Sequence, residues 1–152
     1  MKTLVICHDG AALDKEGLAR WLASFSDVVG LVVLRETGKR ARRRVSTEIK
    51  RVGLLRFFDV LAFRLYYRLM LAKKDRSWEE SKLEELCAAY PALKEVPILM
   101  THSPNSEEAE RFIRERGPDI MIARCKSLLK EGVFSIPTKG TYVMHPGICP
   151  EY

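Results

Sequence analysis

Short apolar runs that end abruptly in polar turns constrain this chain more than any other feature. Leu4-Val5-Ile6-Cys7 is followed at once by His8-Asp9-Gly10, and Val28 to Leu34 is a second such run. Neither alternates apolar with polar residues, so each reads as a strand covered on both faces, as in a parallel sheet. Between them Leu18, Trp21, Leu22 and Phe25 recur at helical spacing. This predicts a helix from about Lys15 to Phe25 with Asp14 as its N-cap. A strand, a helix and a second strand form a βαβ unit, which favours a right-handed crossover and helices on the sheet faces.

The alternation breaks over residues 36–95, which read as a basic helical insertion. A run of Lys and Arg comes first. Leu54 to Ala72 follows, rich in Leu, Phe and Tyr, with Arg56, Arg64 and Arg68 at multiples of four on one face. Trp78 to Tyr90 is a further helix, stopped by Pro91. The α/β rhythm resumes with a strand over Pro97 to Thr101 and a helix over Glu107 to Arg116. Ser106 is that helix's N-cap, acidic residues fill its first turn, and Gly117-Pro118 stops it. A strand over Asp119 to Ala123, a short helix over Ser127 to Val133, a turn over Pro137 to Gly140 and a strand over Thr141 to Met144 complete the pattern. The expected fold is α/β: a doubly wound, mostly parallel, Rossmann-like sheet in a single domain over 1–152, with the insertion after its second strand.

With 47% apolar and 30% charged residues among 152, the chain can build a core and keep a charged surface. The run after Met1-Lys2 is too short for a secretory signal, and no stretch is long and uncharged enough to span a bilayer. The four cysteines, Cys7, Cys87, Cys125 and Cys149, lack metal-ligand spacing. They point to a reducing, cytoplasmic setting without a disulfide framework or a bound metal. The net charge of +6 is concentrated between Arg35 and Arg56. Residues 39–56 are therefore a candidate contact for a polyanion such as tRNA. The amphipathic stretch after them also suits a membrane surface, and a solvated basic helix preceding a buried one accounts for the same residues.

In open α/β sheets ligands bind beyond the carboxyl ends of the strands. That rule gathers His8-Asp9-Gly10, His102-Ser103, Arg124 to Ser127 and His145 to Pro150. No GxGxxG follows the first strand, which disfavours a dinucleotide.

The order Pro118 to Ala123, Ser127-Leu128-Leu129, Ile136-Pro137, Gly140 and His145-Pro146-Gly147-Ile148-Cys149-Pro150 resembles the folate-dependent formyltransferase family. Ser103-Pro104-Asn105-Ser106 and the helix after it fit the same pattern. The resemblance covers roughly residues 96 to 152. It implies transfer of a formyl group from 10-formyltetrahydrofolate to an amine, on a small molecule or on a charged tRNA. It makes His145 the catalytic imidazole, able to hydrogen-bond or protonate the oxyanion formed when the amine attacks. It assigns the folate pterin to Arg124, Cys125, Lys126, Ser127, Leu128 and Leu129, although Leu128 and Leu129 also read as core. It gives His8, Asp9, Gly10, Pro146 and Gly147 to the acceptor side. Cys149 has no evident base and is not a nucleophile.

Two departures stand out. The family's Asn, two residues before the His, is Val143 here. Losing one such donor costs about a hundredfold to a thousandfold in rate. The family's Asp lies well after the His, beyond Tyr152. The resemblance therefore predicts a domain incomplete at its C-terminus, with apolar surface uncovered and a tendency to self-associate. A non-catalytic Rossmann-like module whose basic insertion binds RNA or an anionic surface is the alternative reading.

Overall fold

The structure, a computed structural model, describes residues 1–36, 45–47, 49–51 and 53–144. It divides into two compact units, Met1–Arg35 with Glu85–Tyr152, and Glu36–Glu84.

The first unit is built on five parallel strands. They are β1 (Lys2–His8), β2 (Asp27–Leu34), β3 (Ile98–Thr101), β4 (Ile120–Ala123) and β5 (Thr141–Val143), in the order β3-β2-β1-β4-β5. The chain winds outward from β1 to β3, then crosses back to lay β4 and β5 on the other side, so the sheet is doubly wound. Every pairing is parallel, including that of β5.

The unbroken apolar runs are explained by burial on both faces. Leu4, Ile6, Val32, Leu34, Met121 and Ala123 face one way. There they pack with Ile113 of α4 (Glu107–Arg116) and Val133 of α5 (Glu131–Phe134). Val5, Cys7, Leu31 and Val33 face the other way and meet Ala19 and Leu22 of α1 (Ala19–Ala23). The shift of one residue flips the side chain to the opposite face, so β1 supplies both cores with alternate residues.

Local chemistry sets α4. The Ser106 hydroxyl accepts from the Ala109 amide at 3.2 Å, and Gly117 takes a left-handed conformation (φ 53°) after the last turn. Gly30 answers a different need. A Cβ there would lie 3.0 Å from the Phe112 ring of α4, and the β1/β2 register shifts beside it, between Thr3 and Leu4.

Three local expectations are corrected. The first helix begins as a π-helical segment, Leu13–Leu18, preceded by Ala12, so Asp14 lies in its first turn and caps nothing. It ends at Ala23, where the Ser24 and Ser26 hydroxyls donate to the carbonyls of Trp21 and Leu22. Trp21 and Phe25 are exposed and stack edge to face at 5.0 Å, while Leu18 and Leu22 turn inward. The helix expected over Ser127 to Val133 is confined to Glu131–Phe134, and residues 124–130 have no regular structure.

The second unit is helical over its described length. It holds α2 (Leu54–Tyr66), a π-helical turn (Tyr67–Leu71) and the start of α3 (Ala72–Ala89). The two helices predicted over 54–72 and 78–90 are thus continuous through that turn. Most of the basic run, residues 37–44, lies outside the described residues.

Candidate functional site

The strand order reverses between β1 and β4, and a doubly wound sheet opens its ligand crevice at such a point. Residues 124–130 leave β4 there, and His8 ends β1 beside them. The Arg124 amide donates to the Ile6 carbonyl at 2.8 Å, extending the β1/β4 pairing by one bond. The Lys126 amide then donates to Nε2 of His8 at 3.3 Å. An accepting Nε2 puts the neutral ring's proton on Nδ1, which is buried without a hydrogen-bond partner among the described residues.

The segment is tied down at its far end by a residue 23 positions earlier in the chain. The Asn105 side chain donates to the Leu128 carbonyl at 2.8 Å and accepts from the Lys130 amide at 2.7 Å. Leu129 and Cys125 pack against the core, whereas Leu128 is 92% exposed. The core reading of the Leu128-Leu129 pair is therefore right for Leu129 and wrong for Leu128. Among the described residues, no hydrogen bond uses the amides of Ser127, Leu128 or Leu129. A backbone edge held at both ends, with open amides and an exposed leucine, presents hydrogen-bond donors beside an apolar surface.

Ion pairs join the same ends of the strands. Nε of Arg124 reaches the Asp14 carboxylate at 3.2 Å, joining the end of β4 to the helix after β1. Asp9 pairs with Lys15 and with Arg35, each at 3.5 Å. The Arg35 amide donates to the Thr101 carbonyl at 2.8 Å, and its own carbonyl lies 3.0 Å from Nδ1 of His102. The carboxyl ends of β1, β2 and β3 are thereby linked through Asp9, Arg35 and His102. Gly10 stands open, with nothing within 4 Å of where a Cβ would be.

Both thiols near this site are harder to ionise than a free cysteine. Burial, with Asp14 next in weight, pushes Cys7 from 9.0 up to about 11. Burial also raises Cys125, against a smaller opposing effect of its bond to the Ser127 carbonyl. Among the described residues, no group of three His, Cys, Asp or Glu is arranged to hold a metal ion.

The structure brings His8, Asp9 and Gly10 to the same sheet edge as Arg124 to Leu129. Val143 ends β5 opposite Ala123 and is 57% exposed, and the Met144 amide donates to the Ala123 carbonyl at 3.0 Å. His145, Pro146 and Gly147 lie outside the described residues. Asn105 and Asp14 were missed as partners of the site. Their contacts span 23 to 110 residues, and no local pattern announces them.

No protein-family model matches the chain. Methionyl-tRNA formyltransferase of Thermotoga sp. (strain RQ2) is 41% identical over 58 residues, which is 38% of this chain and 18% of that protein. The Thermotoga maritima enzyme of the same name is 41% identical over 59 residues, 38% of this chain and 19% of its own. That of Thermotoga neapolitana is 37% identical over 60 residues, 39% of this chain and 19% of its own. The chain thus spans about a fifth of the length of the curated relatives it matches, and over that segment it is similar to methionyl-tRNA formyltransferases.

Proposed function

We propose that this chain contributes the formyl-donor side of a formyltransferase site, moving a formyl group from 10-formyltetrahydrofolate to an amine. The observation that carries this reading is the segment about 40% identical to methionyl-tRNA formyltransferases. The geometry supports it, because the tethered segment 124–130 lies at the switch point of the sheet and has open amides at Ser127, Leu128 and Leu129.

In this reading residues 124–129 hold the pterin, through backbone donors and the exposed side chain of Leu128. The His8 ring fixes the segment's entry through the Lys126 amide. The donor supplies an activated one-carbon group. On the family resemblance, His145 would hydrogen-bond to the formyl oxygen as it gains charge, and Pro146 and Gly147 would serve the acceptor. His8, Asp9 and Gly10 serve the acceptor, an amine of a small molecule or of a charged tRNA.

The test is calorimetric titration of 5-formyltetrahydrofolate, a stable reduced folate, into the wild-type chain and into His145→Ala. Saturable binding that the substitution weakens is the expected result. A folded chain that takes up no folate overturns the proposal. It would leave a non-catalytic module, the reading that Val143 in place of the family's Asn favours.

A further inference from the structure

We infer that the helical unit Glu36–Glu84 docks on an anionic lipid surface, lying along it on the apolar face of α2 and the π-helical turn. Phe58, Leu61, Leu65 and Leu69 recur at spacings of three and four, so they form one stripe. All four are exposed, from 42% at Leu61 to 70% at Leu69. Solvent-facing positions of a helix are ordinarily polar, and a continuous apolar stripe costs solubility unless something covers it.

Charge identifies the occupant. Residues 36–84 carry fourteen Lys and Arg against seven Asp and Glu, a net of +7 in a chain of net +6. Within α2 and the π-helical turn the charged residues are Arg56, Asp59, Arg64 and Arg68. Arg64 and Arg68 are one helical turn apart and run directly beside the stripe. Long cationic side chains flanking an apolar face can lay their stems against acyl chains while their heads reach phosphate.

Other occupants fit less well. Nucleic acid would use the cations and could stack on the exposed Phe58, Phe63 and Tyr66, but it has no use for the aliphatic Leu61, Leu65 and Leu69. A second copy would bring a second unit of net +7 against the first. No helix among the described residues is long and apolar enough to cross a membrane, so the helix would lie on the surface.

The experiment is co-sedimentation of the full chain with vesicles of phosphatidylcholine alone and of phosphatidylcholine mixed with phosphatidylglycerol. It is run at low and high salt for wild type, Leu61→Asp/Leu65→Asp and Arg64→Gln/Arg68→Gln. The substituted positions are exposed, and circular dichroism confirms that each variant folds. The expected result is binding to the anionic vesicles only. The leucine pair should weaken it by roughly tenfold or more, and the arginine pair or high salt should weaken it further.

Three results overturn the proposal. One is no sedimentation with anionic vesicles. Another is binding that the leucine substitutions leave intact, or that a structured RNA takes over at equal ionic strength, which would assign the cations to nucleic acid. The third is a dimer in light scattering that the leucine pair dissolves, which would assign the stripe to a second copy. Folate titration reads a different unit, so either proposal can fail while the other stands.

Discussion

Replacing Asn105 with alanine should loosen residues 124–130 while leaving the sheet beneath them folded. The side chain makes two hydrogen bonds to that segment, at 2.8 Å to the Leu128 carbonyl and 2.7 Å from the Lys130 amide. Bonds of this kind contribute about 0.5–1.5 kcal/mol each, so the pair is worth roughly 1–3 kcal/mol. Both are exposed, and water can serve the freed carbonyl and amide, which sets the expected loss at about 1–2 kcal/mol. The loss should appear as local opening, because Leu129 and Cys125 still pack on the core and β4 keeps its pairings. Amide hydrogen exchange measures this directly. The Lys130 amide should exchange about tenfold faster for each 1.4 kcal/mol lost, with protection at Met121 and Ala123 unchanged. Asn105→Asp separates the two bonds, since a carboxylate still accepts from the Lys130 amide but repels the Leu128 carbonyl. Lys130 protection should survive in that variant. Unchanged Lys130 exchange in the alanine variant would refute the clamp.

Cys7 should resist alkylation in the folded chain at neutral pH, because burial holds its thiol up to about 11. The folded state keeps this proton more tightly than the unfolded chain does. That contribution is therefore intact below pH 9.0 and fades as pH rises through about 11; it amounts to at most about 2–3 kcal/mol and should be absent from the denaturant curves of Cys7→Ala. The Arg124–Asp14 pair is partly exposed, so a double-mutant cycle with Arg124→Ala and Asp14→Ala should return a coupling of about 0.2–1 kcal/mol that shrinks in salt. Gly30→Ala should destabilise by about 1 kcal/mol, as crowding of the Phe112 ring outweighs the smaller gain from a stiffer unfolded chain; a raised melting temperature would contradict the close approach.

Much of the sheet was legible because its signals are local. An unbroken apolar run such as Val28 to Leu34 has few other uses than a strand buried on both faces. Ser106 and Gly117 marked the ends of α4 because a cap and a left-handed residue act on their own backbone. The segment after β4 was misread for the opposite reason. Ser127-Leu128-Leu129 has the composition of a helical turn, but bonds from His8 and Asn105 hold it open. The first helix shows the same limit on a smaller scale. Trp21 and Phe25 keep helical spacing with Leu18, yet the helix stops at Ala23 once two serine hydroxyls take its last carbonyls.

Core and crevice are therefore specified by different kinds of interaction. β1 and β4 rest on many apolar contacts, each replaceable by another residue of similar volume. The segment between β4 and α5 keeps core contacts at Cys125 and Leu129, but its path is set by a few polar tethers from His8 and Asn105, each worth about 1 kcal/mol. A core substitution such as Val32→Ala lowers global stability, but it should leave ligand affinity unchanged until the unit unfolds. A tether substitution such as Asn105→Ala should do the reverse, since the open conformations of 124–130 then compete with the one that offers the amides of Ser127 to Leu129 together. When only a fraction of molecules holds the binding conformation, the apparent dissociation constant rises by the inverse of that fraction. A tether loss of about 1.4 kcal/mol then raises it at most about tenfold with little change in melting temperature. Affinity and stability that fell together in both variants would mean that the segment is an extension of the core, and that its open amides are not held ready for a ligand.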